Sequence, residues 1–306
     1  MKSLFSILFI FILSGNFLFA QFGPFGGGDG TESNPFQIYS KAHLEELQDS
    51  IIMSPVNTGT TNFSNGKYFI LMNDITDSMR TVIGTRHINS GQDNTFQGNF
   101  DGQGYKITLA LNPTFGANVE RSGGGYGGLF GAVSGNVEIK NLIVDGYIIG
   151  TVSGSVGGIV GVFMAQGTGF SWMPDEGNLT IKNCINMANI SVRGHSQTYG
   201  PYAGGIIGGT NYVNTIIIED CINIGNIETI SQIIINGRSA GILAGGHKNI
   251  LINRCINAGY IKGNTAGGIT VEYKNFMNND FNITNSINIG IVDGYQGRTG
   301  AIVGEY

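Results

Sequence analysis

Along most of this chain the apolar residues come in short runs, without helical spacing. Tyr68-Phe69-Ile70-Leu71, Lys106-Ile107-Thr108-Leu109-Ala110-Leu111 and most of the Ile-rich stretches beyond residue 123 end at or near Gly or Asn. Ile216-Ile217-Ile218 ends instead at Glu219-Asp220. These runs predict β-strands separated by tight turns, because Gly and Asn, the usual end residues, tolerate the positive φ that such turns need. One segment differs. Leu44, Leu47 and Ile51 fall at i, i+3 and i+7, with Ser40 placed to accept hydrogen bonds from the first-turn amides. A short amphipathic helix is predicted there, its stripe covering the first strands as an N-terminal cap.

Beyond residue 123 two series alternate. The first is Gly127-Gly128-Leu129-Phe130-Gly131, which returns as Gly157-Gly158-Ile159-Val160-Gly161, Gly204-Gly205-Ile206-Ile207-Gly208, Ala240-Gly241-Ile242-Leu243-Ala244, Gly267-Gly268-Ile269-Thr270 and Gly300-Ala301-Ile302-Val303-Gly304. The second contains Asn141-Leu142-Ile143-Val144, Asn183-Cys184-Ile185-Asn186, Asp220-Cys221-Ile222-Asn223, Arg254-Cys255-Ile256-Asn257 and Asn285-Ser286-Ile287-Asn288. Leu142, Cys184, Cys221, Cys255 and Ser286 are separated by 42, 37, 34 and 31 residues. A period in this range marks a repeat architecture, and its variable length puts the extra residues in loops.

A few short strands per repeat cannot bury their own apolar face, whereas repeats stacked about 4.8 Å apart can. The expected fold is therefore all-β: a right-handed parallel β-solenoid, or β-helix, of about five to six coils with a short N-terminal capping helix. Like residues then sit on like, making one column of Cys184, Cys221 and Cys255 and another of Asn186, Asn223, Asn257 and Asn288. Stacked Asn amides can hydrogen-bond from rung to rung. A leucine-rich solenoid would need a recurring helical segment, and a propeller four strands per repeat. No helical segment recurs, and a propeller stays an alternative at this period, disfavoured by the short Gly-Gly-Ile-x-Gly strand and the lack of a four-strand pattern.

Composition agrees with this reading. Of 306 residues, 50 are Gly and only 6 Pro, with 41% hydrophobic and 12% charged, which excludes collagen and intrinsic disorder. The formal net charge of −5, or −6 once Lys2 is removed, argues against a nucleic-acid or anionic-membrane partner. Lys2, the apolar run Leu4 to Leu13 and a break before Ala20 read as a signal peptide, residues 1–20, so the protein is expected to be secreted or displayed at the cell surface. No Cys follows to take a lipid, and no second span follows. Residues 21–30 read as a flexible Gly-rich lead-in, 31–122 as the cap and first strands, and 123–306 as the repeat solenoid. The sequence stops in mid-repeat at Tyr306, so a truncated C-terminus is one expectation.

The Gly127-Gly128-Leu129-Phe130-Gly131 series resembles the GLUG repeat of exported bacterial proteins. Gly30-Thr31-Glu32-Ser33-Asn34-Pro35-Phe36, Tyr68 to Ile75 and Phe96-Gln97-Gly98-Asn99-Phe100-Asp101-Gly102 are similar to the region that precedes it in those proteins, so the likeness covers residues 30 to 306. The resemblance implies an adhesin-like surface role in a Bacteroidetes-like bacterium, with no defined ligand. The same repeat accompanies immunoglobulin A-cleaving metallopeptidases. The copies at Ala240 and Gly267 lack a terminal Gly.

Chemistry is sparse in the sequence. The shared phase of the three cysteines favours buried free thiols over the alternative of one strained disulfide between adjacent rungs, and metal binding lacks a His in phase or a close Cys pair. His43, His87, His195 and His247 form no His-Glu-x-x-His, and there is no Gly-x-Ser-x-Gly elbow. Gly123 to Gly128 satisfies Gly-x-Gly-x-x-Gly, but Leu129 to Val133 continues as a strand where a dinucleotide site needs a helix. Asp74, Asp101, Asp145, Glu219, Asp220 and Asp293 read as turn residues or a solvated face. No cofactor, metal or catalytic set is expected. Aromatics in or near the inserts, Phe170, Trp172, Tyr199 and Tyr202, are the candidate contacts for a surface glycan or protein. The expected function is a non-enzymatic binding or structural module. The alternatives are a carbohydrate-active β-helix enzyme or glycan-binding accessory module, and an N-terminal fragment of a larger surface protein.

Overall fold

A computed structural model describes residues 25–54, 62–86, 93–113, 125–152, 154–164, 177–194, 201–211, 214–230, 237–246, 249–272 and 281–305. The chain winds as a parallel β-solenoid. Its first sheet stacks eight strands in parallel: Phe36–Ile38, Tyr68–Leu71, Asn99–Asp101, Val137–Lys140, Asn178–Lys182, Thr215–Glu219, Ile250–Asn253 and Phe281–Thr284. The last five belong to the repeat. The first three carry the same sheet back through the segment that the sequence marks as cap and first strands.

The second sheet holds the Cys-Ile-Asn segments and the strands that follow them. Ile143, Ile185, Ile222, Ile256 and Ile287 pair in succession, and Ile190, Ile227, Ile261 and Val292 do the same further along each rung. Register holds through the Ile columns although the repeat shortens. It shifts between Gly263 and Thr265, where the facing strand Val292–Gly300 bulges, so some length variation enters the last rung itself. A third face is built from Phe130–Val133, Val160–Met164 and Ile207–Asn211, continued by bridges Ile207 to Leu243 and Leu243 to Thr270.

Alternate residues of every rung point inward. Ile139, Ile181, Ile218 and Ile252 are fully buried in one continuous core with Leu142 and the three cysteines. Each such side chain contributes on the order of 1.5–3 kcal/mol by leaving water. At the N-terminal end the filling is aromatic, with Phe69 against Phe96 at 5.8 Å and Phe96 against Phe130 at 4.6 Å between centroids.

The helix spans Lys41–Met53, begins where the Ser40 hydroxyl accepts from the His43 amide, and buries Leu44, Leu47, Gln48 and Ile51. Gln48 also caps the backbone of the core, accepting from the Gly84 amide at 2.6 Å. The described end of the Gly-rich lead-in is packed, against the expectation of a flexible segment. Phe25 is buried against Phe36 at 4.9 Å, and Gly26 and Gly27 exchange backbone hydrogen bonds with Gln37. An aromatic ring with a pocket to fill outweighs the freedom of its glycine neighbours.

The Gly-Gly-Ile-x-Gly segments turn a corner between the second and third faces and are not single strands. Strand Ser155–Gly157 ends at the motif, and Val160–Met164 starts within it. A Cβ on Gly158, Gly205, Gly241 or Gly268 would overlap the carbonyl oxygen of the next rung, at Gly205, Gly241, Gly268 and Ala301 respectively. The same Cβ would overlap the side chain of Asn186, Asn223, Asn257 or Asn288. The two motifs read separately in the sequence thus meet across the interior of each coil.

Candidate functional site

The outer surface of the first sheet gathers polar groups at its N-terminal rungs. In strands of alternating pattern Phe69, Phe100 and Ile139 enter the core, so their neighbours Tyr68, Asn99, Asp101, Glu138 and Lys140 face outward. With Glu32 and Gln103 they line a groove of about 440 Å³.

Hydrogen bonds hold its floor. Asn99 Oδ1 accepts from the Glu138 amide at 2.9 Å, and Asp101 Oδ1 accepts from the Gln103 amide and from Asn141 Nδ2, both at 2.9 Å. Lys140 Nζ lies 2.8 Å from Glu138 Oε2. That hydrogen bond, reinforced by the charges of Glu138, Asp101 and Glu32, holds the Lys140 ammonium above its ordinary pKa. The groove therefore presents three carboxylates, one lasting cation, two amides and a tyrosine ring. This set can donate to and accept from a hydroxyl-rich ligand. Among the described residues no three His, Cys, Asp or Glu side chains are arranged to hold a metal ion.

Two ladders run beside this surface. Inside, Asn186 Nδ2 donates to Asn223 Oδ1, Asn223 to Asn257 and Asn257 to Asn288, each at 2.7 Å. The cysteine column Cys184, Cys221 and Cys255 is buried and free of disulfides. Each thiol donates to the carbonyl two residues before it, at 3.3 Å to Lys182, 3.2 Å to Glu219 and 3.5 Å to Asn253. Burial pushes the Cys221 thiol well above its ordinary pKa, and Cys255 is raised chiefly by its hydrogen bond to Cys221, with burial adding.

At the corner just before these columns Asn141, Asn183, Asp220, Arg254 and Asn285 all take the left-handed conformation, with φ between 51° and 54°. Asn accepts this conformation readily, and a long side chain less so. Asp220 and Arg254 fill adjacent rungs of the column as a bidentate pair, both bonds 2.7 Å. Asp220 therefore belongs to a turn and Glu219 to the strand before it, where Lys182 stands 3.6 Å from its carboxylate.

Of the aromatic candidates, Phe170, Trp172 and Tyr199 lie outside the described residues, as do His87, His195 and His247. Tyr202 is described and is not in the groove. Its hydroxyl accepts from Arg238 at 2.7 Å, the guanidinium sits 4.8 Å above its ring, and it packs against Ala240, Ala244 and Val271. The groove residues were not singled out by the sequence, except Asp101, which reads as a turn. The signal for them was the outward phase of Tyr68, Asn99 and Glu138 once the strands are placed in register.

No family model matches the chain. A protein of Evansella cellulosilytica, provisionally named a Gly-rich membrane protein, is 30% identical over 129 residues, which are 42% of this chain and 13% of that protein. The matched segment is thus a small part of the relative's length. Among solved structures, a provisionally named immunoglobulin A1 protease from Bacteroides ovatus superposes with a TM-score of 0.60 at 20% identity, over 92% of this chain and 74% of its own. At that identity the likeness concerns fold alone, and the fold the two chains share is the parallel β-solenoid.

Proposed function

We propose that this protein is an exported or cell-surface solenoid of the GLUG-repeat kind that works as a non-enzymatic, adhesin-like binding module. The observation that carries this reading is the constant register of five rungs across repeats of changing length. A rigid scaffold with variable inserts suits display, because loops carry specificity and rungs carry stability. The membrane-protein description of the Evansella relative supports a surface location. Immobilised protein tested on glycan arrays and on host and bacterial surface proteins should retain a ligand without turning it over. Loss of that binding in Trp172→Ala would place the contact in the insert, and loss in Glu138→Gln would place it in the groove.

A second reading, a carbohydrate-active β-helix, draws on the convergence of Glu32, Asp101 and Glu138 in one groove. General acid–base chemistry needs two such carboxylates facing one bond. The salt bridge of Glu138 to Lys140 favours binding over proton transfer. Release of sugar from plant, host or bacterial glycans, abolished in Glu138→Gln, would establish this reading in place of the first. The protease description of the structural neighbour would require catalytic residues of another kind, since this sequence contains no His-Glu-x-x-His.

A further inference from the structure

The outer face of the second sheet is apolar where that of the first is polar. Ile143, Ile185, Ile222, Ile256 and Ile287 stack as one outward column. Asp145, Met187, Ile224, Ala258 and Ile289 form the next, two residues along each rung. Met187 is 41% exposed, Ile224 48%, Ile287 54% and Ile289 72%. The last outward column of the first sheet instead reads Lys140, Lys182, Glu219, Asn253 and Thr284. Repeated Ile on the outside of a parallel sheet is surface that folding leaves in water, and such a patch marks an interaction site.

We propose that this face docks a second copy of the same chain, antiparallel, about a two-fold axis that runs along the strands between the Cys221 and Cys255 rungs. Charge selects this arrangement. At the edge of the stripe Asp220 of the Cys221 rung and Arg254 of the Cys255 rung already pair within one chain, so a second copy meets them as an ordered negative and positive end. The axis sets each Asp220 opposite the partner copy's Arg254, whereas a parallel pairing or an axis through one rung sets like against like.

Shape selects it too. Ala258 leaves a notch in a column of larger side chains, and the same axis places Ile224 of the other copy over it. Met187 then meets Ile289, and Ile185 meets Ile287. Isologous contacts of this kind close at two copies. Four overlapping rungs, crossed by the two apolar columns and the corner column of Asp220 and Arg254, cover about 19 Å by about 20 Å, or about 400 Å² on each side. This is half a standard interface, so the dimer is weak and concentration-dependent.

Sedimentation equilibrium of the full chain over a concentration series tests the proposal, with circular dichroism confirming that each variant folds. The wild-type chain should pass from monomer to dimer. Ile224→Asp should weaken association at least tenfold, on the order of 1.4 kcal/mol. Asp220→Arg should weaken it as well, and the exchange Asp220→Arg with Arg254→Asp should restore it. A chain that stays monomeric, with or without a different protein on the stripe, overturns the proposal. A dimer indifferent to Ile224→Asp overturns it equally. Ligand binding by the groove or the inserts is read separately and does not enter this result.

Discussion

Asn223 Nδ2 donates to Asn257 Oδ1 on the next rung at 2.7 Å and to the Gly225 carbonyl of its own rung at 2.9 Å. Its Oδ1 accepts from Asn186. Every one of these bonds is buried, so the residue has no water to fall back on. Asn223→Ala should lower stability by about 2–4 kcal/mol, because it removes one of the two buried partners of Asn186 Nδ2 and one of those of Asn257 Oδ1, and leaves the Gly225 carbonyl without its side-chain donor. Urea unfolding measures this, and Asn288→Ala, at the less buried end of the ladder, should cost less.

A Cβ added at Gly205 would overlap the Asn223 side chain and the Gly241 carbonyl. Gly205→Ala forces apart two rungs that are held on both sides, and a loss of about 3 kcal/mol or more is expected. Gly66→Ala is the space control, since nothing lies within 4 Å of its added Cβ, although its φ of +66 remains unfavourable for Ala. The difference between the two variants in thermal unfolding isolates the close packing.

The buried thiols fix a pH dependence. Cys221 and Cys255 stay neutral in the folded chain, whereas in the unfolded chain they ionise near their ordinary value of 9.0. The folded state then holds more protons, so stability is intact below pH 9 and falls above it, by up to about 1.4 kcal/mol per pH unit for each thiol. Denaturation at pH 7 and pH 10 should show this loss, and a Cys221→Ser, Cys255→Ser double variant should show less of it. Thiol reagents should label the native protein slowly and the unfolded protein at three sites.

The corner pair offers a milder test. Asp220 and Arg254 are exposed at 40% and 50%, and pairs of that kind contribute little. Replacing both by Asn restores the residue of the Asn141, Asn183 and Asn285 corners and removes a long side chain from the left-handed region. The melting temperature should hold or rise, and its dependence on salt should fall.

The sequence carried the coil phase because stacking repeats like on like. The spacing of Cys184, Cys221 and Cys255 alone was enough to set the columns. The helix was legible for the same local reason, a cap and a stripe at Ser40, Leu44, Leu47 and Ile51. The early rungs at Phe36, Tyr68 and Asn99 were harder to read, since aromatic filling replaces the Ile pattern there. The corner role of the Gly-Gly pairs is not legible along the chain because their purpose lies in another motif, the asparagine across the coil. The groove was hidden for a related reason: Glu32, Asp101 and Glu138 are far apart in sequence and meet only through register.

Neighbouring rungs are joined through stacked asparagines, and a double-mutant cycle tests this most directly. Asn223→Ala and Asn257→Ala, alone and combined, are to be compared by equilibrium unfolding in urea. Stacked partners should show a coupling of about 1 kcal/mol or more, whereas additivity within about 0.5 kcal/mol would contradict the ladder and the register built on it.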